Sequence, residues 1–187
     1  MEPIHKTIDS PVGLLKITAD DQDLISIEFS EGELDEGPGH HIIDETISQL
    51  LEYFNGERKS FNLPLRLEGT PFQKEVWTSL QEIPYGKTAS YQEVAEKIRR
   101  PKAVRALGQA NKANRFPIVI PCHRVIGKNN QLTGYAGKQV DKKSVLLELE
   151  KAFCNRGNFK KSYQKNALYF LTESSVRFFV VNTSKQT

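Results

Sequence analysis

Cysteine is scarce in this chain: two among 187 residues, Cys122 and Cys154, alongside four histidines, one methionine and one tryptophan. Two thiols cannot build a disulfide framework, and with so few histidines a structural zinc site is not expected. No apolar run approaches the roughly 18 residues that span a bilayer. The first twenty residues carry acids and no apolar h-region, so no secretory signal is expected there. What is present is 38% hydrophobic and 26% charged residues, too apolar for disorder and ordinary for a soluble globular protein. The length suits one domain and is too short for two large ones. The expected compartment is the cytoplasm, with no membrane association.

Basic side chains are also scarce, but only in one region. Residues 1–69 hold 5 Lys and Arg against 15 Asp and Glu, a balance of −10. Residues 70–153 hold 15 against 7, a balance of +8, and residues 154–187 hold 6 against 1, a balance of +5. The net charge of +3 hides this segregation. It predicts a small scaffold domain over 1–69, a basic domain over 70–153 suited to a polyanion, and a basic tail over 154–187 with no assigned role. Drifting surface charge would give the same count, so the basic half needs a recognition element before it means nucleic acid.

The first segment reads as α/β. Leu14, Leu15 and Ile17, then the acidic turn Asp20-Asp21-Gln22-Asp23, then Leu24, Ile25, Ile27 and Phe29 predict a hairpin. Residues 31–41 read as a loop. Ile43, Ile47, Leu50, Leu51 and Phe54 fall at helical spacing, stopped by Asn55-Gly56, and a short strand is expected around Phe61–Leu67. No residue of this segment stands out as a chemical group.

From residue 70 the pattern changes. Thr70-Pro71-Phe72-Gln73 is a capping box with proline at the first helical position, and Ser90-Tyr91-Gln92-Glu93 is a second. Pro101 is expected to open a third helix reaching about Asn114. Short helices with tight connections in a basic segment fit a helix-turn-helix, a pattern that small domains without DNA also show. At about 100° per residue, Val104 and Leu107 of the third helix point to a core. Ala103, Ala106, Ala110 and Ala113 line an adjacent face of minimal bulk, with Arg105 and Lys112 on the far side from Leu107. Such a stripe serves either tight helix packing or close approach to a groove.

Chemistry is concentrated in Ile118-Val119-Ile120-Pro121-Cys122-His123-Arg124-Val125-Ile126-Gly127. Pro121 halts an apolar run, predicting Cys122 at the end of a buried extended segment. A thiol attacks as thiolate, and a free cysteine has a pKa of about 8.5, so a neighbouring base and positive field matter. His123 and Arg124 can supply them. An imidazole in turn needs a partner to fix its tautomer, and Glu150 is one candidate. A solvated helix carboxylate is the other reading of Glu150.

Pro121-Cys122-His123-Arg124-Val125 resembles the active-site signature of the O6-alkylguanine-DNA alkyltransferases, or methylated-DNA–protein-cysteine methyltransferases. The likeness extends in order through Ile83-Pro84-Tyr85-Gly86, Ser90-Tyr91, Pro101 to Gly108, Asn114, Gly134-Tyr135 and Leu146 to Glu150. It implies a ribonuclease-H-like α/β N-terminal domain and a mainly α-helical, winged-helix-like C-terminal domain with a helix-turn-helix. It implies a single-turnover repair reaction in which Cys122 accepts an alkyl group from O6-alkylguanine in double-stranded DNA, and possible substrates extend to O4-alkylthymine. By the same resemblance His123 is the base acting through water and Glu150 orients it. Asn114 links the DNA-reading helix to the active-site turn, and Tyr91 donates a proton to the departing guanine. Arg105 fills the space of the extruded base, and Ala103, Ala106, Gly108, Ala110, Lys112 and Arg124 are implied DNA contacts. Pro121, Gly134 and Tyr135 line the pocket. The protein itself is the acceptor, so no cofactor or metal is implied, and a monomer suffices.

The chain departs from the family pattern at Arg115-Phe116, which separate Asn114 from Pro117, and at Gly137-Lys138 after the pocket tyrosine. Its tail contains two strand-like runs, Ala167–Leu171 and Val176–Val181, and Cys154 matches no family position. Two other functions compete: a non-catalytic sensor of alkylated DNA, which would not need Cys122 with His123 and Glu150, and a thiol hydrolase, which would not need Arg105 or the basic half.

Overall fold

β1 (Ile4–Ile8), β2 (Leu15–Ala19) and β3 (Leu24–Phe29) form an antiparallel meander in that order in the computed structural model, which describes residues 2–128, 132 and 140–155. The residues up to Cys154 form one compact unit. β2 is the central strand, with Ile17 facing Lys6 on one side and Ile27 on the other. Its turn to β3 is acidic for a reason. The Asp20 carboxylate accepts the N–H groups of Gln22 and Asp23 at 3.1 and 3.0 Å, closing the loop locally. β1 was not expected, because His5-Lys6-Thr7 gives it little apolar signature.

Leu15, Ile17, Leu24 and Ile27 pack fully buried with Ile43, Leu50 and Tyr53 of α1 (His41–Phe54). Asn55 caps that helix and Gly56 follows at φ +75°, a conformation glycine adopts without cost. The strand expected around 61–67 is absent. Leu24 makes a single bridge to Leu65, because Pro64 has no N–H for a ladder. Beside it, Ile27 N–H donates to Arg115 O at 2.8 Å, tying the N-terminal sheet to the segment that leads into the Cys122 turn.

Both capping boxes form: Thr70 with Gln73 at the start of α2 (Pro71–Gln81), and Ser90 with Glu93 at the start of α3 (Tyr91–Lys97). α4 spans only Val104–Lys112. Pro101 belongs to the preceding turn, where Ala103 N–H bonds Arg100 O at 2.8 Å, so proline's fixed φ serves that turn rather than a helix start. Trp77 of α2 donates its indole N–H to Ala110 O at 2.9 Å and locks α2 to α4. β4 (Ala89–Ser90) pairs in parallel with β5 (Val125–Ile126), joining the base of α3 to the residues just after Arg124. α5 (Val140–Cys154) closes the core through Leu146. Among the described residues no helix is long and apolar enough to cross a membrane.

Candidate active site and nucleic-acid interface

The run before Cys122 is a series of turns rather than the extended segment expected from its composition. Pro117 supplies no ladder donor, Ile118 adopts φ +75°, and Ile120 N–H bonds back to Phe116 O at 2.8 Å. A β-branched residue in the left-handed region is strained and persists only where its surroundings dictate it. Ile118 is fully buried. These turns deliver Cys122, His123 and Arg124 onto one buried 3-10 turn.

Asn114, just beyond α4, organises that turn. Its Nδ2 donates to Ile120 O at 2.9 Å and to Cys122 Sγ at 3.2 Å, while its Oδ1 accepts Phe116 N–H at 2.9 Å. Burial pushes the Cys122 thiol up to about 11, against the opposing pull of the Asn114 hydrogen bond and the Lys143 charge. The resting group is therefore a thiol, and it needs a base. Lys143 of α5, which sequence reasoning passed over, is itself buried and donates to Val125 O at 2.5 Å. Burial lowers its pKa to about 8, with the Cys122 charge acting in the opposite sense.

Glu150 is the hub of the site. Its Oε1 accepts from His123 Nε2 at 2.8 Å, Tyr53 Oη at 2.8 Å and Arg124 Nη2 at 2.9 Å. Its Oε2 accepts Gly86 N–H at 2.8 Å and Arg124 Nε at 3.1 Å. Arg124 also donates Nη1 to Ile83 O at 2.7 Å. Burial would raise the carboxyl, but the hydrogen bonds and charges of His123 and Arg124 overcome it and hold Glu150 down at about 2. A carboxylate only accepts, so His123 carries its proton on Nε2 and Nδ1 is the basic nitrogen. Burial lowers the His123 pKa first, Glu150 opposes this, and Arg124 and Lys143 lower it further. Gly86 must be glycine: φ is +72°, and a Cβ there would collide with Cys154 Sγ.

A buried thiol held by an amide, beside a neutral imidazole oriented by a carboxylate, can attack an electrophilic carbon once its proton is removed. Among the described residues no group of side chains suits a metal ion.

The family model of the 6-O-methylguanine DNA methyltransferase ribonuclease-like domain matches residues 4–67, and that of its DNA binding domain matches residues 71–152. A methylated-DNA–protein-cysteine methyltransferase of Methanosarcina acetivorans is 46% identical over 152 residues, covering 78% of this chain and 97% of that protein. This chain belongs to the methylated-DNA–protein-cysteine methyltransferase family. The constitutive Bacillus subtilis enzyme of that name is 58% identical over 107 residues, which are 57% of this chain and 65% of the relative. A crystal structure of Mycobacterium tuberculosis OGT in complex with DNA superposes with a TM-score of 0.72 at 42% identity, covering 80% of this chain and 93% of that one.

The family's DNA-binding half presents one face of α4. Arg105, Ala106, Gln109 and Lys112 are exposed, while Leu107, Ala110 and Asn111 are buried. Gly108 is half-buried against Tyr91, the first residue of α3, which a Cβ would approach to 3.9 Å. Two expected DNA contacts need correction. Ala110 packs inward under the Trp77 hydrogen bond, so the alanine stripe is divided between packing and surface. Arg124 is buried and spent on Glu150 and Ile83 O, so it cannot reach a phosphate. Ala103 caps α4 half-buried rather than lying within it, and Pro121 is buried in front of the thiol. Gln109 on the exposed face and Tyr53 in the site escaped the sequence reading. Gly134, Tyr135, Gly137, Lys138 and residues 156–187 lie outside the described residues.

Proposed function

We propose that this protein repairs double-stranded DNA by moving an alkyl group from guanine O6 to Cys122 in one irreversible turnover. His123 Nδ1, through a water, takes the thiol proton. Sγ attacks the alkyl carbon in line with the C–O6 bond, a C–S bond forms, and the C–O6 electron pair leaves with guanine. Tyr91 gives that guanine its proton and is reprotonated from solvent, to which His123 releases the proton taken from the thiol. The products are an S-alkyl Cys122 and normal guanine, so atoms and charge balance with no cofactor. Asn114 keeps the turn and the DNA-reading helix in one piece, Arg105 occupies the stack vacated by the base, and Pro121 lines its pocket. Unstacking a base costs a few kcal/mol, which an intercalating cation and phosphate contacts offset.

The N-terminal part is read as ribonuclease-H-like, and α3 with α4 as a helix-turn-helix in a winged-helix-like frame. A monomer suffices, since every group of the site comes from one chain. Cytoplasm is the fitting compartment for a reaction that needs a free thiol.

The observation that carries this reading is the buried 2.8 Å contact between His123 and Glu150, adjoining a thiol bonded to Asn114. Intact-protein mass spectrometry after mixing with an O6-methylguanine duplex tests it. One methyl per chain mapped to Cys122 is expected, with none on Cys122→Ala that still binds the duplex. Transfer by Cys122→Ala, or catalytic turnover beyond one lesion per chain, refutes it.

A further inference from the structure

We propose that Tyr53, from helix α1 of the N-terminal part, is a positioning residue of this reaction, steadying the Glu150 carboxylate so that His123 remains a neutral base protonated at Nε2. The inference rests on the alkyl-transfer reading above. Tyr53 is fully buried, and its hydroxyl reaches across 97 positions of sequence to Glu150 Oε1 at 2.8 Å, lying 3.5 Å from His123 Nε2. Packing alone would be served by phenylalanine, since a buried hydroxyl costs free energy unless bonded. The ring is caged by Phe54, Phe61 and Tyr85, with centroids at 5.4, 5.5 and 5.8 Å, so the hydroxyl is aimed rather than free to swing.

The chemistry follows from one shared oxygen. Oε1 accepts from Tyr53, His123 and Arg124 together, and each donor takes part of its charge. The groups facing His123 are Glu150 and Lys143 of α5, Arg124 and Cys122 of its own turn, and Tyr53 of α1, with Tyr85 behind Tyr53. Lys143 and Arg124 oppose an imidazolium and Glu150 alone favours one. By tempering Glu150, the Tyr53 hydroxyl tips His123 toward its neutral, proton-accepting form. Without it Glu150 pulls harder and the imidazolium survives to higher pH.

The experiment is the single-turnover methyl-transfer rate across pH for the wild type, Tyr53→Phe and the remote core control Ile43→Val. For Tyr53→Phe the acid limb should move up by about half a unit, so that transfer falls about threefold on that limb and stays within about twofold on the alkaline plateau. Ile43→Val should leave the limb in place. An unmoved limb in Tyr53→Phe, or a loss uniform across pH and matched by Ile43→Val, overturns the proposal. A wild type that accepts no methyl group overturns the underlying reading instead. Should Tyr53→Phe fail to fold, nitrogen NMR of the intact protein decides: a neutral His123 protonated at Nε2 and close to the Tyr53 hydroxyl proton is expected, and an Nδ1–H tautomer overturns it.

Discussion

Glu150 and the outer face of α4 use charge in opposite ways. At Glu150 a carboxylate, a guanidinium, an imidazole and a phenol are withdrawn from water and each is tied to a stated partner within 3.2 Å. On α4, Arg105 and Lys112 stand in solvent beside Ala106 and Gln109. The first arrangement fixes geometry and tolerates the loss of neither partner of its Glu150–Arg124 ion pair, because a buried charge left alone costs far more than its pair contributes. The second leaves its cations available to a polyanion, where each contributes a graded, salt-dependent amount. Removing one member from each region should therefore give losses of different kind as well as size.

The largest loss belongs to Glu150→Ala. It strands Arg124 without a counter-charge, and about 3–5 kcal/mol of stability should disappear together with methyl transfer. Urea unfolding compared with the wild type measures the first. The same group also sets an acid limit. Glu150 is held at about 2 against an ordinary 4.5, so its contribution is complete above about 4.5 and lost as pH falls toward 2. In Glu150→Gln that part of the pH–stability curve should flatten. An unchanged curve would mean that the carboxylate is not the buried charge that organises the site.

Much of this was legible in the residues, and the failures have physical causes. Capping boxes are pairs three residues apart, so Thr70 with Gln73 and Ser90 with Glu93 announced α2 and α3 without any tertiary information. Pro101 misled because proline reports a fixed φ and a missing N–H, not the element that uses them, and the apolar residues of Phe61–Leu67 misled because Pro64 among them interrupts a ladder. Cys122 and His123 are sequence neighbours, and the likeness to a known family pointed to Glu150. Tyr53 had no such cue, lying in an acidic segment with no chemical signature and meeting the site only through folding. Arg124 was misassigned because neither its motif nor its positive charge reports that the side chain is buried.

A smaller loss, and one selective for duplex, is expected at Arg105. Its side chain is exposed on α4, whereas Cys122 and His123 are buried. On the proposed role in base extrusion, Arg105→Ala should slow transfer from duplex O6-methylguanine about tenfold or more, because extruding the base costs a few kcal/mol. Reaction with free O6-benzylguanine should hardly change. Equal losses on both substrates would move Arg105 from base extrusion to support of the site.

The smallest effect is expected at Lys112, at the C-terminal end of α4. If the exposed face of this helix meets the phosphate backbone, this ammonium releases about one counterion on binding, and Lys112→Ala should lower the slope of log affinity against log salt by about 1. Its effect should be the same for methylated and unmethylated duplex, since a phosphate contact carries no lesion information. Stability and the rate with the free base should stay as in the wild type, because Lys112 takes no part in the Glu150 network. An unchanged salt slope would put Lys112 off the DNA side of α4, and a lesion-dependent loss would make it part of recognition rather than of steering.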